Sequence, residues 1–496
     1  MDIYTEDMTQ RPLKGATVRW LCLVFVALAL SACAVGPDYS RIEPAAQEQW
    51  YASMEKGLEA SAIEESDLAT WWNVFEDPLL QRLQQRAIKD NLELKTAFSR
   101  LQQARINRGL SRADYFPTLQ AEGQIQRQRS SENLGSPVGG KEDDWYMAGL
   151  DSSWELDLFG GIQRSVESAQ AEIEASSANL HGVLTTLTAE VALNYIELRT
   201  YQQRLKVALN NIATQKKTYD LNNSRFQAGL IDELNLQQSL RNLEQTRSQV
   251  SRLEAAIRMA ENNLAVLLGQ SPGALREELA SMGNIPEAPV KVAVGIPAEA
   301  LRRRPDIRRA ERMLAAQSAR IGVATAELYP KLRLLGTIGL EALNSGNDFF
   351  DAGSQFWGIG PGISWNIFRG NALRLNIDLQ EEKYNEALLA YNATILLAQQ
   401  EIEDALTSYA KEQIRMEHLA KAVEAARRTE WLARDRYNAG LVDFFNVLDA
   451  QRTLLLLEDE LFQSKGQVAA GLARLYKALG GGWQGVELER VGLERR

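Results

Sequence analysis

The sequence predicts an α+β membrane protein built as a tandem structural repeat, with long coiled-coil helices and four strands per chain. Three observations predict it. Two halves, 78–270 and 298–480, echo each other: "RFQAGLIDELNLQQ" (225–238) resembles "RYNAGLVDFFNVLDA" (436–450), "YFPTL" (115–119) resembles "LYPKL" (328–332), and "WELDLFGG" (154–161) resembles "SWNIFRG" (364–370). Each half carries a long stretch almost free of helix breakers: 371–439 has no Gly or Pro, and 162–224 has only Gly182. Each half also carries two short stretches with strand patterning.

The order within each half is the same. A lead-in helix covers 91–114 or 305–328 and stops before Pro117 or Pro330. A strand follows at 118–127 or 331–341. In the first, Leu119, Ala121, Gly123 and Ile125 alternate with polar residues, the period of two of a two-faced strand. A second strand is predicted at 145–158 or 355–367. In the later one Gly358, Gly360 and Gly362 share one face and Trp357, Ile359, Ile363 and Trp365 the other. Its "GIGPG" string is no phosphate loop, since no helix start follows it. The long helix comes next; over 60 residues span roughly 95–100 Å at about 1.5 Å per residue. It is too charged to lie in lipid, and Val191, Leu198, Leu205, Ile212 and Tyr219 recur every seven residues, as in a coiled coil. It breaks at Gly229 or Gly440. A return helix then covers 230–268 or 441–479, with heptad stripes Leu236, Leu243, Val250, Ile257, Leu264 and Val447, Leu454, Leu461, Val468, Leu475. The Pro- and Gly-rich segment 271–297 reads as a linker.

The N-terminus reads as an export signal, residues 1–32. Trp20–Ala32 is a short apolar run behind Arg11, Lys14 and Arg19, and starting at Met8 would remove the acids Asp2, Glu6 and Asp7. Cys22 lies inside the run and leaves with it. Cys33 follows Leu30-Ser31-Ala32, a string that looks like a bacterial lipoprotein cleavage box with Cys33 as its lipidated residue. One remaining cysteine excludes intramolecular disulfides. The strands are long enough to cross a bilayer, yet four cannot close a barrel and open edges are not tolerated in lipid. They therefore need further copies of the chain. A net charge of −10 argues against a nucleic-acid partner, and the two histidines, His181 and His418, lie too far apart to suggest a metal site. No catalytic constellation or cofactor motif is present, so no enzyme is expected.

With these features in place, the sequence resembles the TolC/OprM-type outer-membrane efflux proteins, the outer-membrane components of resistance-nodulation-division type tripartite pumps. "CAVGPDY" (33–39), "WWNVFEDPLL" (71–80), "RRPDIRRAER" (303–312), "YP" (329–330) and "FNVLDAQR" (445–452) carry the resemblance. It implies a homotrimer in the outer membrane, with a 12-stranded β-barrel continuous with an α-helical barrel in the periplasm. Residues 33–77, 271–297 and 481–496 would supply an equatorial belt. The implied function is passive conduction of drugs or other small compounds outward, alongside a periplasmic adaptor and an inner-membrane pump. The exit duct of a protein-secretion system shares the fold. A lipid-anchored periplasmic tether that forms no pore would explain Cys33 and the heptads but not the paired strands.

The resemblance also assigns residues. The turns with Arg225, Gly229 and Asp232, and with Arg436 and Gly440, would form the periplasmic tip and dock the adaptor. Asp449 would line the periplasmic gate with Asp443 and Asn446, the last standing where some members carry a second acid. Simpler roles compete with these. Asp232 and Asp443 also suit helix N-caps, Arg225 and Arg436 suit helix C-termini, and Asp449 suits a solvated face. Pro305 and Asp306 suit the first turn of a helix, and the arginines around them suit neighbouring acids or carbonyls.

Overall fold

The computed structural model describes residues 34–44, 47–134, 140–344 and 346–484. The export signal, Met8, Cys22, Cys33 and the tail from 485 lie outside them. The main helices of the first half are α1 (Pro78–Asp90), α2 (Leu92–Ala113), α3 (Gly161–Gln227) and α4 (Glu233–Leu267). Those of the second are α5 (Pro297–Arg303), α6 (Pro305–Ala326), α7 (Ala372–Asn438) and α8 (Phe444–Ala478). The strands are β1 (Thr118–Arg129), β2 (Glu142–Leu156), β3 (Lys331–Leu343) and β4 (Gln355–Ser364). Repeat partners match in length: 22 residues in α2 and α6, 67 in α3 and α7, and 35 in α4 and α8.

The first lead-in helix starts one residue later than expected, at a break. Asn91 adopts extended dihedrals between α1 and α2, its Oδ1 accepts from Leu94 N–H at 2.8 Å, and its Nδ2 donates to Leu267 O at 2.9 Å. One side chain thus caps α2 and satisfies a terminal carbonyl of α4. The strand bounds also shift. β2 spans 142–156 rather than 145–158, because Leu158 N–H turns back onto Leu156 O; β4 ends at Ser364 rather than 367.

The chain forms two compact units. One comprises the segment ending at Arg41, Gln103–Glu174 and Arg312–Leu389. It contains a four-stranded antiparallel sheet in the order β1-β2-β3-β4, so the hairpins of the two repeats join through β2 and β3. The register sorts the side chains into two faces. Leu119, Ala121, Gly123 and Ile125 of β1 fall beside Tyr146, Ala148 and Leu150 of β2, then Leu334, Ile338 and Leu340 of β3, and Trp357, Ile359 and Ile363 of β4. This face is apolar across all four strands and open, with Ile125 at 79 % and Trp357 at 76 % exposure. The other face is polar, with Gln120, Glu122, Gln124, Asp151, Glu155, Arg333 and Glu341 beside the glycines of β4. Indoles mark one end of the sheet. Trp154 Nε1 donates to Tyr115 O at 2.8 Å and Trp365 Nε1 to Leu328 O at 2.9 Å, repeat-related contacts to the ends of the lead-in helices.

The other unit comprises Ile42–Gln102, Ala175–Glu311 and the described residues from Ala390 to Gln484. Its heptad stripes are buried at Val191, Leu198, Leu243, Leu264, Val447, Val468 and Leu475, while Ile212, Tyr219, Leu236, Val250, Leu454 and Leu461 are only half-buried. Trp71 is fully buried and stacks on Tyr476 of α8 at 5.5 Å. Asp77 caps α1 through Leu79 and Leu80 N–H and accepts the Tyr195 hydroxyl at 2.6 Å. Leu58–Glu59 pairs in parallel with Val292–Ala293. The basic string is spent on structure: Arg304 is buried and bonds Asp306, Glu401 and Ala478 O, while Arg308 lies over Trp483.

His181 also stacks on Trp483, with 4.4 Å between the ring centroids. Burial, with the nearby Arg308 cation second, pushes its imidazole down to about 4. The folded state therefore prefers neutral histidine. This contribution is complete above the unfolded value of about 6.5 and is lost as pH falls towards 4. Its full size is up to about 3 kcal/mol. Thermal unfolding between pH 7 and 4.5 is expected to show a falling Tm that His181→Phe flattens.

Candidate functional site

The two helix turns are built by the same local chemistry. Leu230 N–H donates to Arg225 O at 2.8 Å and Gly229 N–H to Phe226 O at 2.9 Å; Leu441 and Gly440 repeat this onto Arg436 O and Tyr437 O at 2.9 and 3.0 Å. This paired pattern satisfies the last helix carbonyls and needs a left-handed residue after the cap. Gly229 and Gly440 supply it, at φ +71° and +74°. A Cβ on either would meet nothing, so the backbone and not crowding demands glycine. Gly440→Ala is expected to cost about 1 kcal/mol through strain alone, read as a small fall in Tm.

The acids after the turns then diverge. Asp232 caps α4 by accepting from Asn235 N–H at 3.0 Å. Asp443 holds the equivalent position before α8, but its carboxylate makes no capping bond; Asn446 instead folds back, its N–H 3.1 Å and its Nδ2 3.4 Å from Asp443 O. Helical spacing places Asp443, Asn446 and Asp449 in line on one face of α8, all exposed, with Phe445 beside them. The opposite face packs Phe444, Val447 and Leu448 against Ala433 and Tyr437. Arg225 lies over the Tyr437 ring at 5.1 Å, which ties the end of α3 to the end of α7, while Arg436 is exposed. The expected tip residues thus form two repeat-related turns bridged by Tyr437, a residue sequence reasoning did not select.

Two further features carried no signal that marked them. The first is a polar layer in the α7–α8 seam. Tyr437 packs on Phe444, Ala433 on the cluster at Leu448, and Arg427 bonds Glu458 at 2.8 Å. Glu430 and Gln451 occupy the layer between these. Both are buried, and neither amide atom of Gln451 has a hydrogen-bond partner among the described residues; Glu430 Oε1 has only Arg434 at 3.6 Å. The repeat-equivalent positions in α3 and α4 are Tyr219 and Leu240.

The second is the seat of the N-terminal segment in the sheet-bearing unit. Arg164, 4 % exposed, donates Nε to Val35 O at 3.2 Å and Nη2 to Asp38 Oδ1 at 2.6 Å, while Nη1 bonds Glu167. Val35 N–H donates to Phe159 O at 3.1 Å. Gly36 and Gly160 approach so closely that a Cβ would fall 2.4 Å from Gly322 Cα and 2.5 Å from Ala34 Cβ, respectively. The residues just after position 33 are therefore keyed into a notch lined by glycine.

No helix among the described residues is long and apolar enough to cross a membrane, and no three of their His, Cys, Asp or Glu side chains gather as a metal centre.

Comparison with known proteins agrees with this geometry. The family description "Outer membrane efflux protein" matches residues 83–270 and 296–481. The outer membrane protein OprJ of Pseudomonas aeruginosa is 31 % identical, covering 93 % of this chain and 95 % of that one. The solvent efflux pump outer membrane protein SrpC of Pseudomonas putida is 30 % identical, covering 93 % and 97 %. A solved structure of the outer-membrane channel OprN is similar with a TM-score of 0.85 at 36 % identity, covering 91 % of this chain and all of that one.

Proposed function

The chain belongs to the outer membrane efflux protein family, and on that premise we propose that three copies close a 12-stranded β-barrel and a helical passage that together form one duct. Its function is that of an outer-membrane exit duct of a tripartite efflux pump, located in the outer membrane and extending into the periplasm. The sheet carries the trimeric reading. It has one face apolar across four strands, two unpaired edges at β1 and β4, and indoles at one end. In lipid the edges must pair, and β4 of one copy against β1 of the next is a head-to-tail contact that closes a ring. Trp154 to Tyr146 spans about 26 Å of strand at about 3.3 Å per residue, a fit to an apolar band between aromatic girdles. A tether that never forms a pore leaves this face without a use.

Transport through the duct is passive, with no covalent chemistry and no cofactor; the lipid on Cys33 directs the chain to the outer membrane. The periplasmic adaptor docks on the turns with Arg225, Gly229, Asp232, Arg436 and Gly440, and the inner-membrane pump feeds the passage. Asp449, with Asn446 and Asp443, lines the periplasmic gate, where three copies form an acidic ring that favours cations. Purified wild-type protein in planar bilayers is expected to give single-channel current, and Asp449→Ala to raise conductance or weaken cation block. A heat-modifiable trimer with no current would overturn the duct; unchanged current in Asp449→Ala would remove that residue from the gate.

A further inference from the structure

We infer that the polar face of the sheet holds a subsite for flat, lipophilic organic cations, built on Phe356. It rests on the barrel reading above, which turns this face towards the lumen. The register sets Phe356 in one cross-strand row with Gly339, Gly149 and Glu122. A Cβ added to Gly339 would lie 2.8 Å from Phe356 Cε1, and one added to Gly149 3.5 Å from its Cζ. The ring therefore does not stand up from the sheet. It reaches across two strands and lies along a trough that exists only because both residues are glycine. Gly339 is closed from beneath as well, since its Cβ would fall 2.5 Å from Ala148 O. One face of the ring is covered by the trough and the other is left for the lumen.

Two carboxylates flank that open face. Glu122 stands one strand beyond Gly149, a step of about 4.8 Å. It accepts Gln120 Nε2 at 3.1 Å. Glu341 is two residues along β3 from Gly339, and Trp145 Nε1 holds it at 3.0 Å. Each is oriented by one neutral donor and keeps acceptor capacity. Within the four strands, the cation of this face nearest by register is Arg333, six positions from Gly339 along β3, and it is engaged by Glu155 at 2.9 Å. An aromatic face between two such acids attracts a delocalised cation through ring quadrupole and charge together. A neutral flat molecule gains only the ring, and a small inorganic ion is held back by its hydration. If Phe356 only covered glycines to stabilise the sheet, a leucine would cover them too.

Ethidium added on the extracellular side of the trimer in planar bilayers tests this, with block scored against each variant's own open current. Wild type is expected to show concentration-dependent block. Phe356→Leu is expected to raise the half-blocking concentration about tenfold, as is Glu122→Gln combined with Glu341→Gln. Phe356→Tyr should retain the block. Equal block in wild type and Phe356→Leu overturns the subsite, as does equal block by neutral phenanthridine at pH 7.5. If Phe356→Leu does not assemble, the Tyr and double-Gln variants decide. Wild-type protein without current would refute the duct instead.

Discussion

Arg304→Ala is expected to destabilise the protein by about 3 kcal/mol, the largest single-residue loss outside the hydrophobic seams. The guanidinium is buried and makes four bonds: two to Asp306 at 3.1 and 2.7 Å, one to Glu401 at 2.7 Å and one to Ala478 O at 2.6 Å. It thereby joins the start of α6, the middle of α7 and the end of α8. Removing it leaves the Ala478 carbonyl without its donor and the two carboxylates close together. Their half-exposure lets water recover part of the cost, which keeps the loss at the lower end for a broken buried pair. Arg304→Lys is expected to restore less than half, because one ammonium cannot reproduce a planar fork spread over three acceptors. Calorimetry of the three proteins in detergent decides it. Equal Tm values for wild type and Arg304→Ala would show that the neighbours re-pair without it.

The second large effect runs the other way. Giving the second repeat the residues of the first, Glu430→Tyr with Gln451→Leu, is expected to stabilise the α7–α8 hairpin by about 2–4 kcal/mol. Each buried polar group without a partner costs roughly 1–3 kcal/mol. The reverse exchange, Tyr219→Glu with Leu240→Gln, is expected to lower the stability of α3–α4 by a similar amount. Hydrogen exchange localises both, with slower exchange in 425–455 for the first pair and faster exchange in 214–245 for the second. Unchanged protection in the first variant would mean that Glu430 and Gln451 already find partners. On the proposal that the exposed acid line of α8 lines a gate, the Glu430→Tyr with Gln451→Leu variant is also expected to reduce opening events in planar bilayers.

Much of the fold was legible because its signals are local and repeated. Heptads at Val191, Leu198, Val447 and Leu475 became buried seams, and Gly229 and Gly440 became left-handed caps. The two-residue period of β1 correctly separated a polar from an apolar face. The start of α2 was legible to within one residue, but the second bond of Asn91 was hidden, since the carbonyl its Nδ2 reaches, Leu267 O, belongs to α4. Arg164 was hidden for a similar reason: its strongest partner, Asp38, is 126 positions away. Glu430 and Gln451 read as ordinary polar residues until the register of α7 against α8 put them inside. Of the acids expected at the turns, Asp232 took the capping role that Asp443 leaves to the backbone, a difference that nearly identical turn sequences do not reveal.

The pairing of β2 with β3 places a clock on assembly. Asp144 and Asn344, bonded at 3.0 Å where the two hairpins meet, are 200 residues apart in the chain. At about 5–20 residues per second, synthesis takes roughly 10–40 s to travel from one to the other. Throughout that interval the first hairpin exists with its apolar face and both edges unsatisfied, the condition under which strands find the wrong partner. Newly exported first halves are therefore the species most in need of a chaperone. A chain truncated after α4 should aggregate even though every one of its own helices is present.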